Sequence, residues 1–212
     1  MTKQRTTSRA SPAKRAATGL GPRPRRGEPA DTRARIVAAA AQELELRGFF
    51  GTDTNRIARA AGYAPGTFYK HFADKQAVFL AVYDEWIAKQ WDGVATIAAD
   101  AKTPAEKAER MGDHVIAQHR AWPGLRASLR ALVVLEPEVR KAFRKSRKRQ
   151  LAIMGEMGLS DPLANEVLLL TVERIADAIA DGELAELGLS ESAARAHLIG
   201  EIAAALKRGR GG

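Results

Sequence analysis

From Thr54 to Phe72 the chain reads TNRIARAAGYAPGTFYKHF, a pattern that confines this stretch to two short helices and a tight turn. Ile57 and Ala58 stand four and three residues before Ala61, which puts all three on one helical face. Thr54 is the expected cap of the first helix, through its hydroxyl, and Gly62 falls where a helix ends by turning left-handed. Pro65 then fits the first turn of the second helix, where no amide hydrogen is needed. Phe68 and Phe72, four apart, share the inward side. Gly66, Thr67, Lys70 and His71 form an arc facing elsewhere. A bare glycine, a small hydroxyl, a cation and an imidazole suit approach to base edges and phosphates in a major groove.

With DTRARIVAAAAQELELRGFFGTDT before it and ADKQAVFLAVYDEW after it, this stretch resembles the DNA-binding domain of the TetR (tetracycline-repressor) family, over roughly Asp31 to Trp86. A glycine-hinged helical hairpin alone is a weak motif. Here GTFYKHF, the lysine soon after it and the amphipathic helix upstream stand in order. That upstream helix is expected over about Thr32–Arg47, capped by Asp31 and closed by Gly48, with Ile36, Ala40 and Leu44 as its stripe and Val37 and Ala41 widening it. Phe49 and Phe50 read as core in the connection that follows.

The rest of the chain narrows the class. Hydrophobic residues make up 45% of its 212 residues, enough for a sizeable core, and no run of β-branched alternation occurs, so the expected fold is all-α. Without cysteine there is neither a disulfide framework nor a thiolate metal site. No apolar run approaches the length of a membrane span and no secretory signal opens the chain, which points to a cytoplasmic protein. The net charge of +9 is uneven: residues 1–30 hold eight Lys or Arg against the single acid Glu28. With four prolines and little that is apolar, they read as a disordered basic arm, either a solubilising leader or an addition to phosphate contacts.

Residues 31–76 are the expected helix-turn-helix domain, 77–207 a helical regulatory and dimerisation domain, and 208–212 a flexible tail. A long helix capped by Asp74 links the two domains, running through Phe79, Tyr83, Trp86 and Ile87 towards Trp91. Further helices are expected over about 105–122, 125–135 and 136–154, where Pro137 either starts or kinks the last. The seven basic residues from Arg140 to Arg149 read as a solvated face. Two more helices follow, about 163–180 behind Asp161 and Pro162, and about 190–207 behind a Ser190 cap.

The resemblance implies an N-terminal three-helix helix-turn-helix domain joined to a C-terminal ligand-binding and dimerisation bundle. It carries DNA contact over to Thr54, Asn55, Arg56, Pro65, Gly66, Thr67, Tyr69, Lys70, His71 and Lys75. Pro65 and the Thr67 methyl would meet thymine methyls, while Tyr69, Lys70, His71 and Lys75 would hold phosphates. Gly66 stands where family members often have a longer side chain, leaving fewer base bonds or closer backbone approach. Trp86, Met111, Trp122 and Leu129 are the implied lining of an effector pocket. The stripes Leu168, Val172, Ile175, Ile179 and Ala194, Leu198, Ile202, Ala205 are the implied homodimer interface, helped by small residues along the last helix.

The expectation is a ligand-responsive dimeric regulator, a repressor by preference, that binds a palindromic operator in double-stranded DNA and is released by a small apolar effector. A ligand-independent DNA-binding protein driven by the basic arm and an apolar-ligand carrier remain the alternatives. Catalysis is not expected. His114 and His119 are five apart, about 140° round a helix, and poorly placed for one metal. No hydrolase, metalloprotease or phosphate-loop motif occurs, and neither a metal nor a cofactor is implied.

Overall fold

The computed structural model describes residues 28–209. The basic arm over 1–27 and the final residues 210–212 lie outside the described residues, and at their borders helices reach further than expected, to Pro29 and to Arg208. Among the described residues ten helices follow in order: α1 (Pro29–Arg47), α2 (Thr54–Ala60), α3 (Pro65–Phe68), α4 (Lys75–Asp100), α5 (Pro104–Ala121), α6 (Pro123–Leu135), α7 (Pro137–Glu156), α8 (Pro162–Ala180), α9 (Glu183–Glu186) and α10 (Glu191–Arg208). No strand occurs among the described residues, and the fold is all-α as expected.

Proline does most of the punctuation. It opens α1, α3, α5, α6, α7 and α8, because the first helical turn needs no amide donor. Pro137 therefore starts a new helix. In α1 the same effect moves the start upstream: Pro29 leads and Asp31 lies in the first turn instead of capping it. Thr103, Asp161 and Ser190 each accept a backbone N–H at the start of the helix that follows them. The one-turn helix α9 had no signal in the sequence.

Two apolar clusters hold the helices together. The first joins the faces of α1, α2 and α3 with the first half of α4, and it continues through Leu125 and Leu132 of α6 to Val139 of α7. The second lies between α5, α8 and α10 and the far end of α4. Trp91 touches both. α4, 26 residues and thus roughly 39 Å long, spans the two clusters as one continuous helix.

The structure corrects several expectations. Phe49 packs on the first cluster, but Phe50 is 67% exposed. In the basic run of α7, Lys141, Arg144, Lys145, Lys148 and Arg149 are solvated, whereas Arg147 is buried against Glu173 and Glu166. Arg140 turns back to donate to the carbonyls of Val133 and Val134 at the end of α6.

The larger correction concerns the residues expected to meet a partner chain. Leu168, Val172 and Ile179 of α8, with Leu198, Ile202 and Ala205 of α10, are buried in the second cluster of their own protomer, and Ile175 and Ala194 pack against them. The wide apolar stripes face α5 because α5 approaches closely. A Cβ on Gly112 of α5 would lie 2.9 Å from Ile199 and 3.0 Å from Leu198.

Candidate nucleic-acid interface and effector cavity

The reading head is built on a buried base. Phe68 is fully buried and Phe72 nearly so, with ring centroids 5.7 Å apart, and they seat α3 on α1 and α2. α2 is capped by Asp53, whose carboxylate accepts the Arg56 N–H at 2.8 Å, so Thr54 is not the cap. That backbone hydrogen bond holds the Asp53 carboxyl below its usual range. After α2 the chain turns at Gly62 with φ +84°, a left-handed conformation that side chains with a Cβ resist, and Tyr63 donates back to the Ala58 carbonyl. α3 is regular for one turn only. It continues to Phe72 through tighter bonds, Lys70 to Thr67 and His71 to Phe68.

These contacts leave Pro65, Gly66, Tyr69 and Lys70 exposed and Thr67 and His71 partly so, on one surface beside Asn55 and Thr54. A Cβ on Gly66 would meet nothing within 4 Å. The Thr54 hydroxyl lies 2.9 Å from the Tyr69 hydroxyl, joining the start of α2 to the end of α3. Arg56 leans towards Glu43 of α1 at 3.9 Å. Lys75, expected at a phosphate, is placed otherwise: its Nζ donates to the Phe49 carbonyl at 2.7 Å and the Thr52 carbonyl at 2.8 Å, over the Phe49 ring. Burial holds its pKa below the usual lysine value.

Behind the head lies a cavity of about 290 Å³, whose lining includes Tyr83 and Trp86 of α4, Leu129 and Val133 of α6 and Phe143 of α7. A smaller one of about 80 Å³ is lined by Met111, Met154, Leu168 and Val172, and Ile87 and Glu173 border both. Of the expected pocket residues, Trp86 and Leu129 line the first cavity and Met111 the second. Trp122 lines neither and packs on the first cluster.

Sequence reasoning missed the polar end of the larger cavity. His119 of α5, Arg126 of α6 and Asp177 of α8 are also part of its lining. Arg126 is 3% exposed; its guanidinium is paired with Asp177 and Asp181, and its Nε donates to the His119 carbonyl at 2.9 Å. Arg130 meets the same two carboxylates at 2.9 Å and 3.2 Å. His119 Nδ1 lies 2.9 Å from Asp177. Burial pushes the Asp177 carboxyl up, but the His119 bond and the Arg126 charge outweigh it and hold the pKa at about 2. Nothing in the periodicity marks this cluster, since Asp177 lies more than fifty residues further along the chain than His119 and Arg126. His114, the other histidine of α5, points away to the Gln90 carbonyl.

An exposed helix-turn-helix face carried on a helical bundle with a cavity beside it is the arrangement of a DNA-binding regulator. Residues 36–82 match the bacterial regulatory proteins of the tetR family. The chain is 33% identical over 56 residues to an uncharacterized HTH-type transcriptional regulator, YdgC, of Bacillus subtilis, a match covering 26% of this chain and 29% of that protein. It is 25% identical over 168 residues, 79% of this chain and 77% of the other, to the fatty acid metabolism regulator protein of the same organism. Its fold is that of the fatty acid degradation regulator FadR from Bacillus halodurans (TM-score 0.62, 20% identity, 84% of this chain and 96% of that one). It also matches a TetR-family regulator from Streptomyces coelicolor (TM-score 0.63, 17% identity, 84% and 96%). It is over residues 36–82, the helix-turn-helix segment, that the chain matches the tetR family of bacterial regulatory proteins.

Proposed function

We propose that this regulator acts in the cytoplasm as a homodimer on a palindromic operator, represses, and is released when a small, largely apolar effector enters the cavity beside α4 and α6. No helix among the described residues is long and apolar enough to cross a membrane. The observation that carries the reading is the uncovered surface of Gly66, Thr67, Tyr69, Lys70 and His71 on a head whose α4 and α6 also wall the cavity. Thr67 and the open position at Gly66 read bases; Lys70, His71 and Tyr69 hold phosphates.

Dimerisation uses the outer sides of α8 and α10, since their inner sides are taken. Leu163, Val167 and Leu170 on α8, at spacings of four and three, are all more than half exposed. Gly200 on α10 has open space where a Cβ would stand, room for a second copy to approach. An effector must favour one spacing of the two heads over the other, so effector and DNA oppose each other reciprocally. The names of two relatives, concerned with fatty acid metabolism and degradation, support an aliphatic effector. Selecting sites from a random DNA pool with the purified protein tests the reading: a two-fold symmetric consensus is expected, and the absence of any consensus would refute it.

A further inference from the structure

We infer that the two cavities described above and a third beyond them form one route for a single-chain amphiphile with an anionic head, which enters beside Lys107 and lies with its tail towards the DNA-reading head. The inference rests on the effector reading above and adds to it where the ligand enters, which way round it lies and what sets its length.

The third cavity, about 260 Å³, lies where the end of α4 meets the start of α5 and the end of α10. It shares Met111, Met157, Leu159 and Leu206 with the smallest cavity, as that one shares Ile87 and Glu173 with the largest. Shared walls place the three end to end. Along α4 they follow one another in the same order: Tyr83 and Ile87 line the inner cavity, Ile87, Trp91 and Val94 the middle one, and Ala98 the outer. Those residues make a single stripe at spacings of three and four that runs for roughly 22 Å.

The middle cavity is the neck, about 80 Å³ between neighbours of about 290 and 260 Å³. Met111, Met154 and Met157, every methionine of the chain beyond Met1, are in its lining. Methionine is unbranched and flexible, so a wall made of it yields to an incoming chain more readily than branched side chains would. Ile87 and Glu173 stand at the inner end of the neck. Glu173 is held by Arg147, so the side chain that must turn aside is Ile87, which has no polar partner.

Charge orients the ligand. In the inner cavity the guanidinium groups of Arg126 and Arg130 are both taken up by Asp177 and Asp181, and Asp177 and Glu173 stand in the wall as carboxylates. The outer cavity has no carboxylate in its lining among the described residues. Its one charged residue there is Lys107, half-buried near the start of α5, whose ammonium makes no ion pair or hydrogen bond with any described residue. An anion is drawn to the outer end and repelled at the inner one. The head therefore stays at Lys107, and only a long tail passes the methionines and Ile87 to reach Tyr83 and Leu129.

The test compares octanoate, tetradecanoate and tetradecyltrimethylammonium by calorimetry on the full chain at neutral pH, each below its micelle concentration. Tetradecanoate is expected to bind about a hundredfold or more tightly than octanoate, because its further methylenes fill the inner cavity. Leu129→Trp, which fills that cavity, should weaken tetradecanoate about tenfold and leave octanoate unchanged. Ile87→Val widens the passage and should tighten tetradecanoate alone, by about threefold. Lys107→Gln should weaken both carboxylates about fivefold, with recovery in Lys107→Arg, and should not weaken the ammonium probe. If octanoate binds as tightly as tetradecanoate and Leu129→Trp abolishes it, the inner cavity alone is the effector site: the route is wrong and the effector reading stands. If tetradecanoate binds but Lys107→Gln does not weaken it, or weakens the ammonium probe equally, the entry and orientation are wrong. If neither carboxylate binds, the aliphatic effector reading falls together with the route.

Discussion

The carboxylate of Glu45, near the end of α1, accepts the backbone N–H of Gly124 through both oxygens at 3.1 Å, and that of Leu125 at 3.3 Å. These are amides that the first turn of α6 leaves unpaired, and a negative charge there also suits the helix dipole. One turn on, the Ser128 hydroxyl accepts the Phe49 N–H at 2.9 Å and donates to the Gly124 carbonyl at 2.7 Å. The start of α6 is thus pinned to the DNA-reading head, while Arg126, Leu129 and Val133 of the same helix line the cavity. Glu45→Ala should lower stability by about 1–2 kcal/mol, several degrees in Tm. It should also weaken effector-driven release of DNA while leaving effector affinity for the free protein unchanged. Thermal melts with effector titrations of free and DNA-bound protein check both. Gly124→Ala should cost more, about 1–3 kcal/mol, since its Cβ would lie 2.4 Å from the Glu45 carbonyl oxygen, which is backbone and cannot swing aside.

Two lysines near the head separate stability from DNA affinity. Lys75→Ala removes two internal hydrogen bonds and the contact with the Phe49 ring, and should destabilise the chain by about 1–2 kcal/mol. Lys70 is exposed, so Lys70→Ala should leave the urea midpoint unchanged. It should weaken operator and random DNA alike and reduce the slope of log affinity against log salt by about one. Unfolding curves beside DNA titrations at several salt concentrations distinguish the two.

Much of this head was legible in the sequence because its signals are local. Gly62, Pro65 and the Phe68–Phe72 pair each act within one or two turns, and the structure places each as the spacing requires. The cap at Asp53 was missed because two neighbouring residues, Asp53 and Thr54, are both competent caps. Lys75 was misassigned because its acceptors, the carbonyls of Phe49 and Thr52, carry no side-chain signature. The stripes of α8 and α10 announced burial but not which surface buries them. Periodicity marks an apolar face, and only the approach of α5 at Gly112 decides that the cover is intramolecular. The cluster of His119, Arg126 and Asp177 is assembled across more than fifty residues of chain and had no local signal at all.

Gly66 offers a gain-of-contact test. Its Cβ position is open, and glycine inside a helical turn is disfavoured against alanine by up to about 1 kcal/mol. Gly66→Ala should therefore leave Tm unchanged or slightly higher. Because the position faces outward beside Thr67, the change should shift the ranking of operator variants and not scale all of them equally. Site selection repeated with the variant reads this directly.

The outer face of α8 tests the dimer. Val167 is 54% exposed between Leu163 and Leu170, and it touches no core of its own protomer that a charge would break. Val167→Glu should leave the melting temperature of the protomer nearly unchanged while shifting sedimentation towards the monomer. Affinity for a two-fold operator should fall steeply and affinity for a half-site little. By contrast, Leu198→Glu, at a fully buried position, should unfold the chain.

The Asp177 cluster makes stability depend on acid. Its carboxyl is held at about 2 in the folded chain against 3.8 for an unperturbed group. A depressed folded pKa stabilises the folded state above the unfolded value, and the contribution is lost as pH falls through the folded one. The shift corresponds to stabilisation on the order of 2 kcal/mol, complete above pH about 4 and fading towards pH about 2. Asp177→Asn should remove that part of the acid dependence, so that urea midpoints measured between those limits fall less steeply than in the parent. At neutral pH the same change leaves the buried Arg126 with Asp181 alone, and should cost about 3 kcal/mol, the usual scale for breaking a buried ion pair. Conversely, Arg130→Ala removes the half-exposed member of the cluster and should cost less than 1 kcal/mol or so. Equal losses for the two variants would mean that Arg126 is not the buried charge that Asp177 serves.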